Sequence, residues 1–351
     1  MNSVCPTIKV SVAVICCIGL LFGCQSEPER FIPDVSSIEV NTNIKRFERE
    51  LFGIDTTRTA AEIERLRAAY PEFSGIYFDR ILGIENPEVA PDGPERYLNG
   101  FVNHPATRRL YDTTQIVFAD FSHYEQEFER AFKFLKYYFP ELPTPEVTTF
   151  ISEYSFQNFV FGENSVAVGL DFFLGPDYPY LAYYPNNPNF SEYLSRNFRP
   201  EFVVPKTLYA YVDDLVGPPG GARLLDHMVH NGKKRYLLQR LLPEATNEQI
   251  FEFTTEQIEW LRANESQLWG YLVDGQHLYS TDYADFRKLI EYSPTGNGDM
   301  PPETPGRSAN FIGYRIVDAY MRRFPETTLP ELVGLKDAQA ILQEGRYKPR
   351  R

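Results

Sequence analysis

Past residue 24 the chain contains no cysteine: Cys5, Cys16, Cys17 and Cys24 are the whole complement in 351 residues. A body without cysteine forms no disulfide, holds no cysteine-ligated zinc and carries no thiol nucleophile. Histidine is nearly as scarce, with His104, His123, His227, His230 and His277 only. Basic residues are outnumbered, 35 against 48 acidic, and the formal charge of −13 argues against a nucleic-acid binder, which needs a basic surface for phosphates. Neither a G-x-S-x-G elbow nor a Ser-x-x-Lys pair occurs. The sequence also lacks internal repeats, low-complexity tracts and long Gly/Ser linkers. Its apolar run at Val10–Phe22 falls short of the roughly 20 residues that a membrane-spanning helix needs.

What stands at the N-terminus is a secretory signal. Lys9 supplies the positive start, Val10–Phe22 the apolar core, and Gly23 the small residue before a cut. Leu21-Phe22-Gly23-Cys24 resembles a bacterial lipobox, which makes Cys24 the expected lipid-attachment residue and the new N-terminus; Phe22 is bulkier than usual there. Loss of the first 23 of 351 residues leaves 328, and loss of Lys9 takes the formal charge from −13 to −14. Gln25 and Ser26 follow the cysteine with no aspartate, which by the sorting convention favours the outer membrane. The expected organisation is a signal peptide over 1–23, a polar tether over 24–30 and a single domain over 31–351.

Periodicity predicts helices over Arg58–Ala69 and Ser122–Phe139, the second with Ser122 and Glu125 at capping-box spacing. Val147–Tyr154 and Ser165–Leu170 are β-branched or aromatic and read as strands, with Gly162-Glu163-Asn164 as the turn of a hairpin between them. Gly175–Asn189 reads as a long surface loop. Further helices are expected over Lys206–Val216, Ala222–Leu242, Asn247–Phe253, Thr255–Leu272, Ser308–Phe324 and Lys336–Glu344, with Ser293–Gly306 a loop. The fold class is α+β, predominantly helical with a small β-sheet.

Candidate chemistry is sparse. His227 and His230 lie three apart on one helix face, with Asp226 beside them and Asp213-Asp214 in the preceding helix. A zinc hydrolase needs a third ligand and a glutamate base, and His227-Met228-Val229-His230 has no interior glutamate. Glu259, Glu265 and Asp274 read as solvated faces, and Gly217–Gly221 as a helix-entry turn. The 23 tyrosines include Tyr178, Tyr180, Tyr183 and Tyr184 in the predicted loop, where they could stack on sugars or anchor a protein; Tyr137 and Tyr138 read as helix residues. Arg307, just before a helix, is expected to pair with a carboxylate such as Glu303 or to meet an anionic ligand, a buried salt bridge being the default reading. No residue qualifies as catalytic or as a metal ligand, and no cofactor is implied.

Several stretches together resemble the gliding-motility lipoprotein GldB family of Bacteroidetes. They are Glu39–Leu51, Lys136–Pro140, Val147–Ser155, Val166–Gly175, Leu224–Leu238, Gln257–Asp282, Pro305–Met321 and Gly345–Arg351. The resemblance implies a lipid-anchored, palmitoylated envelope protein of the gliding machinery, with gliding or envelope proteins as partners and no established catalysis. The helical half also resembles a degenerate zincin-like metalloprotease. On that resemblance Pro205–Val216 replaces the metal-binding helix and Asn231-Gly232 the later ligand motif, so a pseudo-enzyme is implied. Two alternatives stand beside it: a metal-dependent hydrolase using His227 and His230, and a glycan- or peptidoglycan-binding envelope protein.

Overall fold

The strand-forming runs do build a sheet, but not the expected hairpin. In the computed structural model, which describes residues 31–183 and 190–350, β1 (Ile44–Arg46), β2 (Glu146–Phe150), β3 (Asn158–Phe161) and β4 (Ser165–Gly169) lie in the order β1-β2-β4-β3. Cys24, the signal segment and the tether fall outside the described residues. β2 runs parallel to both neighbours, with Val147 in register with Ile44 on one side and Val166 on the other. The turn at Gly162–Asn164 instead joins β3 to β4, the antiparallel pair, with Phe161 opposite Ser165. Gly162 takes a positive φ of 59°, which suits glycine in a tight connection. β2 is buried from Val147 to Phe150 without alternation, the mark of a strand covered on both faces.

Between β1 and β2 the chain forms α1 (Phe47–Phe52), α2 (Thr59–Ala69), α3 (Pro71–Gly75), α4 (Pro94–Asn103), α5 (Pro105–Val117) and α6 (Ser122–Tyr138), with a π-helical segment over Ile76–Leu82. Pro71, Pro94 and Pro105 each open a helix, where a missing N–H leaves nothing unpaired. α6 starts at Ser122 without the expected capping box, since the N-cap is Phe121; Asp120 Oδ1 accepts from the Ser122 N–H at 2.9 Å and its hydroxyl at 2.6 Å. Phe47, fully buried, meets Tyr70, Phe73 and Tyr77 edge-on at 4.8–5.0 Å, so the aromatic excess is spent on core.

After the sheet come α7 (Tyr180–Tyr183), α8 (Glu192–Ser195), α9 (Val203–Val216), α10 (Leu224–Leu241), α11 (Asn247–Phe251), α12 (Thr255–Ala263), α13 (Glu265–Asp274), α14 (Tyr283–Ile290), α15 (Ser308–Arg323), α16 (Leu329–Gly334) and α17 (Ala338–Gly345). α9 packs on β3 and β4, and α10 lies among α9, α15 and α17. The expected helix over Thr255–Leu272 breaks at Asn264 into α12 and α13. Thr254 caps α12 reciprocally with Gln257, at 3.1 and 3.2 Å. Among the described residues no helix is long and apolar enough to cross a membrane.

Past the ends of β2 and β4 the backbone is pinned by one carboxylate. Asp171, fully buried, accepts the N–H groups of Ser152 at 3.1 Å and Tyr154 at 2.7 Å through Oδ2, while Oδ1 has no hydrogen-bond partner. Glu153 and Tyr154 both take positive φ, 50° and 65°, and this carboxylate holds the strained pair. Burial pushes the Asp171 carboxyl up to about 7 against the pull of those N–H groups.

Candidate functional site

The residues singled out in the sequence scatter. His227 packs against Phe286 at 5.7 Å and Tyr283 at 6.2 Å. Burial, then the Lys234 charge, push His230 down to about 3, so it is neutral at physiological pH. Asp226 is bound by Arg223 at 2.7 and 2.9 Å, and Asp213 by Lys234 at 2.7 Å; Asp214 is exposed. Among the described residues no three His, Cys, Asp or Glu side chains could together hold a metal. The Gly217–Gly221 stretch is a crossing point: a Cβ on Gly220 would lie 2.2 Å from the Lys336 carbonyl oxygen, and Lys336 Nζ caps the Val216 carbonyl at 3.0 Å.

Three expectations are corrected. Tyr180 is not a surface residue: it is buried, its hydroxyl accepting from Leu174 N–H at 2.8 Å and donating to the Asp171 carbonyl at 3.0 Å. Tyr178 is half-buried with its hydroxyl on that of Tyr154, while Tyr184 and the side chain of Tyr183 lie outside the described residues. Glu265 is not on a solvated face, because the break at Asn264 shifts the helical phase and turns it inward. It is 1% exposed and accepts from Tyr347 Oη at 2.9 Å and Arg315 Nε at 3.3 Å, whereas Glu259 and Asp274 are exposed. Arg307 is buried in an ion pair as expected, but its partner is Glu252 rather than Glu303.

Glu252 is the centre that sequence reasoning missed. α11 ends at Phe251, and Glu252 takes a left-handed conformation, φ 57° and ψ 33°, which sends its carboxylate inward between Phe251 and Phe253. α9 brings Lys206 Nζ to 3.5 Å of Oε1, and α10 brings Arg235 Nη1 to 3.8 Å of it. Arg307, itself at φ 63°, brings Nη1 to 3.5 Å of Oε2. Arg196, after α8, donates to the Glu252 carbonyl at 3.1 Å, and the Tyr292 hydroxyl bonds Oε2. Burial pushes the Glu252 carboxyl up, but Lys206, Arg235 and Arg307 together outweigh it and hold the group well below the usual carboxylate range.

Two of the arginines are fixed by other contacts. Arg235 donates to the Ile250 carbonyl at 2.7 Å beneath the Tyr209 ring, 4.0 Å away. Arg307 donates to the Glu252 carbonyl at 2.9 Å and stacks on Tyr292 at 4.1 Å. Lys206 has no such anchor: its ammonium makes no hydrogen bond among the described residues, and Glu252 is its one ion-pair partner there. Four cations thus gather around Glu252. This arrangement is rich in positive charge and offers a metal ion only repulsion. The one sequence clue was an acidic residue flanked by two phenylalanines.

No curated protein matches the chain. No solved structure matches it. The family model described as gliding motility protein GldB matches residues 28–349, nearly the whole length. On that extent of match, the chain belongs to the gliding motility protein GldB family.

Proposed function

We propose that the protein is a lipid-anchored cell-envelope component of the gliding-motility machinery, acting through protein contacts rather than catalysis. The family match over residues 28–349 carries this reading, because it begins just after Cys24 and covers the body that such an anchor would hold. Acyl chains on Cys24 would supply the membrane affinity that an acidic body lacks on anionic lipid. The segment from Val273 to Tyr292 suits protein partners: Val273, Tyr279, Tyr283 and Tyr292 are each exposed, and tyrosine is a frequent interface anchor. The outer membrane is the expected address. Labelling with a fatty-acid analogue tests the anchor, and continued labelling of Cys24→Ala would sink it. Deleting the gene and scoring colony spreading tests the role, with complementation by the wild type required and rescue by Cys24→Ala not expected.

A degenerate metalloprotease ancestry fits one further observation. The facing surfaces of α9 and α10, where that ancestry would place metal ligands, carry Lys206, Lys234 and Arg235. Metal analysis of the purified protein checks it. Stoichiometric zinc that disappears from a His227→Ala, His230→Ala double variant would restore the hydrolase reading.

A further inference from the structure

The charges around Glu252 do not balance. Lys206, Arg235 and Arg307 have side chains 10%, 5% and 6% exposed and Arg196 is half-buried; Glu252 is the carboxylate at their centre, and the Glu248 charge also reaches Arg196. Carbonyls of Ile250 and Glu252 offset part of this, yet four cations face two carboxylates and the formal excess is two positive charges in a largely desolvated place. Buried charges persist when paired, and unpaired ones are costly enough to be neutralised or lost. Two donors are conspicuously idle. Lys206 makes no hydrogen bond among the described residues, and Arg196 Nε is buried without an acceptor.

From this we propose that the cluster is a binding site for a phosphate group, a ligand function distinct from the anchor and the gliding role. A phosphate monoester carries about −1.5 to −2 charges at neutral pH, which offsets most or all of the excess, whereas a carboxylate offsets half of it. Guanidinium forks held flat by Tyr209 and Tyr292 suit its oxygens, and Lys206 supplies a point charge. Tyr292 is 41% exposed, covers Arg307 and reaches to 5.8 Å of Lys206, so the cluster lies beneath a surface side chain. Glu252 and Arg307 are two of the six non-glycine residues with positive φ among the described residues, so two strained backbone positions meet in this cluster.

The test titrates the detergent-solubilised full-length chain with inorganic phosphate at constant ionic strength set by chloride, reading unfolding temperature and isothermal heat. A saturable rise is expected, with affinity at least tenfold weaker in Lys206→Met and unchanged in Lys133→Met, whose lysine pairs with Glu129 on the surface of α6. Arg196→Gln, at a half-exposed position, should weaken binding several-fold and covers the case in which Lys206→Met fails to fold. No saturable response, or equal responses in Arg196→Gln and the wild type, would overturn the proposal. Acetate binding as tightly as phosphate would also overturn it.

Discussion

Gly232 of α10 and Gly313 of α15 lie backbone against backbone. A Cβ added to Gly232 would stand 2.3 Å from the Gly313 carbonyl carbon, and one added to Gly313 would stand 1.9 Å from the Met228 carbonyl oxygen. Beside this crossing Asn231 donates to Asn310 at 2.9 Å, and Asn310 to the Ile290 carbonyl at 2.8 Å. The Asn231-Gly232 pair therefore acts in packing, and the family-like segments Leu224–Leu238 and Pro305–Met321 meet here.

Gly313→Ala should separate the two helices and cost about 3 kcal/mol or more, at the upper end for overpacking, since backbone cannot swing aside as a side chain can. Gly334→Ala, with open space around it, should change stability by less than about 0.5 kcal/mol. Urea denaturation midpoints of the two variants compare them directly. Similar midpoints would contradict the packing described.

Neutralising Glu252 exposes what its charge opposes. Glu252→Gln leaves Lys206, Arg235 and Arg307 without their counter-ion and should cost about 3–5 kcal/mol at neutral pH. The folded pKa is depressed, so this stabilisation is present above the unfolded value near 4.5 and is lost as the pH falls below it. The gap between wild type and variant should accordingly narrow in acid. A gap that stays constant from pH 7 to 3 would contradict the assignment.

Asp171 runs the other way. Its folded pKa of about 7 lies above the ordinary aspartate value of 3.8, so its contribution is fully present below 3.8 and is lost as the pH rises through 7. Across that window the wild type should lose stability relative to Asp171→Asn with a slope approaching about 1.4 kcal/mol per pH unit. The amide oxygen of asparagine can still accept from Ser152 and Tyr154. Parallel stability–pH curves for the two proteins would show that Asp171 is charged throughout.

Tyr347→Phe should cost about 1–2 kcal/mol, because Glu265 is buried and loses its shortest hydrogen bond, leaving Arg315 at 3.3 Å. Tyr279→Phe, which removes an exposed hydroxyl 3.2 Å from Gln339, should be near neutral. Thermal unfolding of both variants distinguishes a buried tie from a surface one.

Helices with strong periodicity and a clear stop were legible in the sequence: α2, α6, α9, α10 and α15 fall within a few residues of expectation. Local signals end there. Strand pairing is a long-range property, so the turn at Gly162 was readable while the partner of β2 was not. Glu265 was misplaced because Asn264 interrupts a helix whose side-chain pattern continues smoothly. Arg307 was rightly seen as a buried cation, yet its carboxylate lies 55 residues away. Glu252 stayed hidden for the same reason: the cations that give it meaning come from α9, α10 and the segments beside α8 and α15.

The parallel pairing of β1 with β2 bridges 103 residues, the separation at which Asn43 also bonds Glu146. β1 cannot be seated until α1 through α6 have been synthesised and β2 has followed them. Sheets closed over such distances fold slowly, in milliseconds to seconds rather than microseconds, and leave strand edges bare meanwhile. For the exported chain proposed above, that delay would keep the polypeptide threadable through a translocon. It would also make the interval just after export the time when a chaperone matters most.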